Sequence, residues 1–160
     1  MDVSFNFGGY DASGLTIASY FTDQPVQAYI SQVYHKGAFH NESKLYVNPA
    51  RINFTKPVYL LTTDISRSAA ESFAMAMEAL PNIKLVGTNT LGILSGMLGK
   101  SIGEFYFTSS NQRLLSPHHK IYEVTGVEPD IALKVFTKEN IFGGHKEAVR
   151  NVMEIIEKSH

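Results

Sequence analysis

Apolar and polar residues follow two different periods along the chain, and each period predicts a type of secondary structure. Residues 57–61 form a continuous apolar run, which predicts a buried strand over 57–62. Residues 69–80 form an alanine-rich run with Phe73, Met77 and Leu80 on one side, which predicts an amphipathic helix. A short polar turn joins the two. We take this strand, turn and helix as the unit around which the rest of the chain is organised.

The same patterns predict further elements on both sides of this unit. Strands are expected at 2–7, 25–34, 44–47, 83–86 and 131–135, and helices at 13–21 and from 138 onwards. A hairpin is expected over 103–115 with its turn at 109–112, and the polar stretch 36–43 is expected to connect two strands. The chain has neither a dinucleotide-binding glycine fingerprint nor a phosphate-loop lysine motif. Repeated strands and helices therefore predict an α/β domain.

Composition narrows the class of protein. A chain of 160 residues with 44% hydrophobic residues is long enough for one domain with a substantial core. Lys and Arg number 14 against 15 Asp and Glu, so the net charge of -1 provides no basic field to hold nucleic acid. The absence of cysteine excludes a disulfide framework, a thiol nucleophile and cysteine-ligated zinc. No apolar run approaches the roughly 20 residues that a membrane span needs.

Ser68 lies where the predicted helix begins. There its hydroxyl projects beyond a buried strand, close to free backbone N–H groups and to the positive end of a helix dipole of roughly half a charge. Fixed donors of that kind stabilise a developing oxyanion, so Ser68 is a candidate nucleophile for acyl transfer. Ser68 and Glu71 also match the S-x-x-E capping box, in which the serine satisfies a free N–H of the helix. This segment by itself favours the cap.

Glycines and histidines supply the other candidates. Gly8 and Gly9 follow the first predicted strand, where they could expose N–H groups to a ligand or only form a tight turn. Residues 88–96 form a loop of small and hydroxyl residues that could line a cleft. His118 and His119 are adjacent and would point to opposite sides of a strand. His35 and His40 likewise lack metal-ligand spacing, so we predict no metal site and no cofactor.

Four segments, taken together, resemble a known family. Residues 2–9 (DVSFNFGG) are similar to a D-[VL]-R-x-N-x-G-G segment, and residues 66–71 (SRSAAE) to an S-x-S-A-x-E nucleophile turn. Residues 87–92 (GTNTLG) match G-x-x-T-x-G, and residues 126–130 (GVEPD) match G-[VI]-x-P-D. In this order, over nearly the whole chain, they resemble the tail-specific, or C-terminal processing, serine peptidases.

The resemblance implies both a fold and a site. The fold would be α/β, a ClpP/crotonase-like core with a mixed sheet flanked by helices. Ser68 would be the nucleophile, and the backbone N–H groups of Gly9 and Ala69 would form the oxyanion hole. The substrate would be a peptide or protein, in a cleft bordered by residues of the glycine segments: Gly8, Thr90, Gly92 and Ile93.

The general base is where the sequence departs from the family pattern. One branch places a lysine directly after the second glycine of G-x-x-T-x-G, but this chain has Ile93, which cannot take a proton. The tricorn-like branch uses serine, histidine and an acidic residue. Its glutamate corresponds to Glu123, and its histidine lies upstream of the segment at which this chain begins. His118 or His119, a few residues from Glu123, is the alternative base.

Two expectations follow from the missing base. Residues 1–160 would be a single domain, the C-terminal portion of a serine peptidase catalytic domain, and nearly inactive alone because an unassisted serine stays a protonated alcohol. Family members commonly act outside the cytoplasm, so the resemblance implies an extracytoplasmic location. The sequence does not predict an oligomeric state. The alternative function is a non-catalytic module that binds a retinoid-like or lipid-like ligand, with an apolar pocket formed by Ile93, Leu94, Met97 and Leu98.

Overall fold

The computed structural model describes residues 1–158 as seven strands, four α-helices and one 3₁₀ turn. The helices are α1 (Asp11–Ala18, followed by the 3₁₀ turn Ser19–Phe21), α2 (Ala69–Glu78), α3 (Lys138–Phe142) and α4 (Lys146–Glu157). The strands are β1 (Val26–His35), β2 (Ala38–Val47), β3 (Val58–Thr62), β4 (Ile83–Gly87), β5 (Gly96–Ile102), β6 (Phe105–Leu115) and β7 (Ile131–Ala132). Within this part of the chain, no helix combines the length and apolar character needed to cross a membrane.

The strands form two sheets. One is antiparallel, with the order β2-β1-β6-β5, and the other is parallel, with the order β3-β4-β7. Asp2 extends the parallel sheet through a single parallel bridge to Leu61. The expected α/β class, with helices flanking the sheets, is confirmed, although parallel and antiparallel strands lie in separate sheets and not in one mixed sheet.

Helix α2 is the centre of the main core. Every residue from Ala69 to Met77 is buried, because α2 contacts both sheets and α1. Its alanines allow the surrounding elements to approach closely, and Phe73 and Met77 fill the space between them. The predicted apolar stripe of this helix is thus confirmed, but the polar Glu71 and Ser72 are buried with it.

A second, smaller core lies on the other side of the parallel sheet. Leu61 and Val86 of the sheet pack against Val135 and Ala148, with Val152 and Ile155 of α4 partly buried beside them. Ala148, Val152 and Ile155 thus form the packing face of the C-terminal helix. The helical region divides, however, at Gly143 and Gly144, because α3 ends at Phe142 and α4 begins at Lys146.

Other predicted elements also differ from the structure. Residues 2–7 make only the single bridge at Asp2, because the chain turns at Ser4 and Phe5. The polar stretch 36–43 lies largely within β2, since the turn occupies Lys36 and Gly37, both with positive φ. Polar residues are compatible with this strand because most of β2 is exposed.

The predicted hairpin is a further difference. Strand β6 is continuous through residues 109–112, and its partner is β5, which the sequence pattern did not indicate. The turn lies at Gly103, with φ of 59°, and Glu104. Both β5 and the first half of β6 are exposed, so no buried face imposes an apolar alternation that would identify them.

Candidate active site

Ser68 occupies a sharp, strained turn between β3 and α2. Its φ of 56° and ψ of −127° are rarely adopted by a residue with a side chain. The turn is fixed by its neighbours, since the Ser68 N–H donates to Glu71 Oε2 at 2.9 Å and to the Ile93 carbonyl at 3.1 Å. Ser68 itself is exposed, in contrast to the buried helix that follows it. Its strained backbone therefore presents a side chain to solvent.

The capping-box arrangement of Ser68 and Glu71 is present. The Glu71 carboxylate accepts the Ser68 N–H, and the Glu71 N–H donates to the Ser68 carbonyl at 2.7 Å. The Ser68 side chain faces the Glu71 N–H as in a capping box, but the contact does not have the geometry of a capping hydrogen bond, and the hydroxyl donates none within residues 1–158. The side chain that secures the helix start is thus Glu71, and the hydroxyl of Ser68 is left available.

The glycine pair lies directly against this turn. A Cβ added to Gly8 would be 2.7 Å from Ser68 Cβ and 3.0 Å from the Ala69 nitrogen, so only glycine fits there. Asn6 holds the pair in place, because its Oδ1 accepts the Gly8 N–H at 2.9 Å and its carbonyl accepts the Arg67 N–H at 3.2 Å. Gly8, Gly9 and Ala69 line one cavity of about 440 Å³.

Two backbone donors at this cavity have no acceptor. The hydrogen bonds of residues 1–158 include none donated by the N–H of Gly9 or of Ala69. Ala69 is the first residue of α2, where the helix cannot satisfy an N–H and its dipole is positive. Both residues named for an oxyanion hole thus bring a free N–H to the same cavity.

Glu71 joins the serine turn to the second glycine loop. Its side chain is fully buried, and its carboxylate accepts from four donors. Oε1 accepts the Thr90 hydroxyl and the Gly92 N–H, both at 2.6 Å, and Oε2 accepts the Ile93 N–H at 2.9 Å in addition to that of Ser68. The sequence identified Glu71 only as part of a cap.

The structure places the candidate cleft residues of this loop in different surroundings. Thr90 and Gly92 are buried, and Thr90 Oγ1 also accepts the Val127 N–H at 2.8 Å. A Cβ on Gly92 would approach the Val124 carbonyl carbon within 2.6 Å. These residues therefore hold the loop against the segment after Glu123, while Ile93, 52% exposed, faces solvent.

Glu123 reaches the same loop but does not contact Ser68. Its Oε2 accepts the Leu94 N–H at 2.9 Å, and it is half-buried. The neighbouring residue Ile93 supplies the carbonyl that accepts the Ser68 N–H. Glu123 is thus connected to Ser68 through two residues of the loop.

No histidine or lysine is hydrogen-bonded to Ser68 within residues 1–158. His118 is exposed and lines a cavity of about 610 Å³ with Met75, Glu78 and Ala79, at the opposite end of α2 from Ser68. His119 is exposed in the same turn. His35 and His40 are exposed on the β1–β2 hairpin. This part of the chain also contains no group of three or more His, Cys, Asp or Glu residues placed to bind a metal ion.

His145 was missed by the sequence analysis. Its Nε2 lies 2.8 Å from Asp2 Oδ2 and 3.2 Å from Ser4 Oγ, and its Nδ1 lies 2.9 Å from Asn140 Nδ2. Burial raises the pKa of Asp2, but hydrogen bonds from Ser4 and His145 lower it by more, so the net pKa is below the ordinary value. Near His145 the sequence shows only two glycines before a helix. Its partners Asp2 and Ser4 are 143 and 141 residues away along the chain.

The fold and the serine turn together define the class: an α/β protein in which a strained serine begins a buried helix beside a glycine pair. The model of peptidase family S41 matches residues 1–133. The chain therefore belongs to peptidase family S41.

Solved structures agree with this assignment. A protein from Parabacteroides merdae that is thought to be a peptidase shares 27% identity, with a TM-score of 0.79 over 94% of this chain and 50% of that one. Mature CPAF in complex with lactacystin shares 15% identity, with a TM-score of 0.85 over 97% of this chain and 43% of that one. The photosystem II D1 C-terminal processing protease shares 18% identity, with a TM-score of 0.68 over 86% of this chain and 35% of that one. This chain thus spans half or less of the length of these proteins.

Proposed function

We propose that this chain carries the nucleophile side of a serine peptidase site. A general base removes the Ser68 proton, and Oγ attacks a peptide carbonyl carbon. The carbonyl oxygen becomes an oxyanion that accepts hydrogen bonds from the N–H groups of Gly9 and Ala69. Collapse of this intermediate breaks the C–N bond, the amine leaves with a proton, and water then hydrolyses the acyl-enzyme ester.

One observation carries the proposal. Within residues 1–158 the N–H groups of Gly9 and Ala69 have no acceptor, and both residues line one cavity beside an exposed, strained serine. A capping serine would need neither the strain nor the glycine contact. Glu71 and Glu123 support this arrangement because each accepts N–H groups of the loop that also holds the Ser68 backbone.

The general base comes, in this proposal, from another part of a longer protein of which residues 1–160 are the C-terminal portion of the catalytic domain. Two facts support it. No histidine or lysine of residues 1–158 is hydrogen-bonded to Ser68, and the chain spans only about half of its solved relatives. Glu123 would then orient the loop, or the incoming base, through its hold on Leu94.

The alternative of an apolar-ligand module has less support from the geometry. Leu94 is in the core, while Ile93, Met97 and Leu98 are 52%, 70% and 59% exposed. These four residues therefore do not enclose a common pocket. The family match also favours a peptidase.

A fluorophosphonate probe tests the proposal, since it phosphonylates only an activated serine. The full-length parent protein should be labelled at Ser68, as located by peptide mass mapping. Ser68→Ala should abolish labelling and lower peptide cleavage by about a thousandfold or more. Ser101→Ala, which alters an exposed serine on β5, is the control and should change neither. An unlabelled parent with unchanged cleavage in Ser68→Ala would overturn the proposal.

A further inference from the structure

A second cavity, of about 290 Å³, lies between the start of α1 and the inner face of the antiparallel sheet. Its volume suits one amino-acid side chain better than a drug-sized ligand. Val33, Leu45 and Leu114 line it together with polar residues of the same sheet face, and Asp11 lines it from α1. Three of these polar groups matter for the chemistry: those of Asp11, Tyr29 and Gln112.

Tyr29 brings an unsatisfied hydroxyl to this cavity. The residue is 2% exposed and its OH is shielded from solvent; within the part of the chain that the structure describes, the OH has no hydrogen bond of good geometry, although the Ser72 hydroxyl lies close enough to act on its pKa. Burial raises the pKa of Tyr29 to about 12, the negative charge of Asp11 adds to this effect, and the neighbouring Ser72 hydroxyl opposes it. A buried hydroxyl without a partner costs about 1–3 kcal/mol, which a ligand that bonds to it would recover.

Asp11 is the charged residue of the cavity lining. Its Oδ1 accepts the Ser72 hydroxyl at 2.5 Å, and no lysine, arginine or histidine of residues 1–158 forms an ion pair with it. Arg113 faces away, because its Nε donates to Gln32 and its guanidinium lies over the Phe39 ring. The cavity therefore combines one uncompensated negative charge with acceptor atoms.

Three connections link this cavity to the proposed active site. Asp11 follows Gly9 by two residues and contacts Ser72, which is one helical turn from Ser68 on the same face of α2. Gln112 pairs with Gly96 at the end of the loop that holds the Ser68 backbone. A residue beside a scissile bond at Ser68 could thus place its side chain in the cavity.

We propose that this cavity is a specificity subsite that takes the side chain of a lysine or arginine next to the scissile bond. Its methylene groups would pack on Val33, Leu45 and Leu114, while the cation would donate to Asp11 and to the Tyr29 oxygen. The proposal rests on Ser68 being the nucleophile, and it specifies the substrate class of that site.

Binding is measured on the full-length protein carrying Ser68→Ala, which can bind a peptide without cleaving it. The probes are a fluorescein-labelled decapeptide of alanine and glycine with one central lysine and the same peptide with norleucine or glutamate there. Fluorescence anisotropy should give a dissociation constant about tenfold lower for lysine than for norleucine. Asp11→Asn should bring this ratio close to one, and Tyr29→Phe should reduce it while preserving the fold.

Matched controls are Asp23→Asn and Tyr34→Phe, which alter exposed residues and should retain the preference. A parent without lysine preference, or one whose preference survives both Asp11→Asn and Tyr29→Phe, overturns the subsite. Fluorophosphonate labelling of the wild type is read separately. Labelled Ser68 without lysine preference rejects the subsite alone, whereas an Asp11-dependent preference without labelling rejects the nucleophile and keeps the cavity as a binding site.

Discussion

At the scale of single residues, Glu71 determines whether the serine turn and the second glycine loop stay together. A carboxylate has about four lone-pair sites, and four N–H and O–H donors use them here. Burial of a charge is costly unless such donors surround it. Glu71 therefore positions the loop, and the loop positions Ser68.

Replacing Glu71 with glutamine tests this role. The amide NH₂ would face two of the four donors, so Glu71→Gln should lower the free energy of unfolding by about 3 kcal/mol or more. Urea unfolding measures this free energy. Fluorophosphonate should also label Ser68 more slowly, because the turn that holds it loosens. Glu104→Gln, at an exposed turn, should change the stability by less than about 0.5 kcal/mol. A similar small change for Glu71→Gln would contradict this account.

At the scale of elements, Asn140 joins α3, α4 and the preceding segment. Its Nδ2 donates to the Val135 carbonyl at 2.8 Å, and its Oδ1 accepts the Ala148 N–H at 3.0 Å. These two bonds fix the orientation of the amide. The His145 Nδ1 beside the same Nδ2 must then accept, which leaves the ring proton on Nε2, facing Asp2.

Asn140→Ala should leave the Ala148 N–H without its partner, while the Val135 carbonyl keeps only the hydrogen bond from the Thr137 N–H. One buried N–H left in this way costs about 1–3 kcal/mol, so we expect a loss of that size in the free energy of urea unfolding. Hydrogen exchange should accelerate first in α3 and α4, where few other contacts hold the helices. Asn48→Ala, an exposed change, should leave both measurements nearly unaltered. Exchange that accelerates equally in α2 would argue against a local role.

At the scale of the whole molecule, the bond between Asp2 and His145 closes the fold, because it joins residues near the two ends of the chain. It also anchors the segment that leads to Gly8 and Gly9. Since this bond depends on an ionised carboxylate with a lowered pKa, it makes the stability of the molecule sensitive to acid.

The direction in which stability changes with pH is testable. A carboxyl group with a lowered folded-state pKa stabilises the fold above its unfolded pKa, here about 3.8, and loses that contribution as the pH falls through the folded-state pKa. The stability advantage of the wild type over Asp2→Asn should therefore shrink as the pH falls from about 4 towards 2. Urea unfolding at several pH values measures it, with Asp23→Asn as control. An advantage that grows with acidity would contradict the assignment.

The sequence predicted the parts of the fold that are buried on one or more sides. Strands β1, β3 and β4 and helix α2 have apolar patterns imposed by a core, and each was located within a few residues. Strand β5 was missed and the turn before β6 misplaced because exposed strands carry no such pattern. The apolar run at 131–135 became a two-residue strand, since only Val86 and Gly87 offer it backbone partners.

The sequence by itself determined the family and the identity of Ser68, Gly8 and Gly9 as candidates, because these depend on short motifs that local backbone geometry requires. The tertiary structure alone decided which groups meet. It showed Glu71 as a junction, His118 at the opposite end of α2 from Ser68, and the buried hydroxyl of Tyr29 near Asp11. Contacts between residues far apart in the chain depend on how the sheets and helices pack, and no local pattern encodes them.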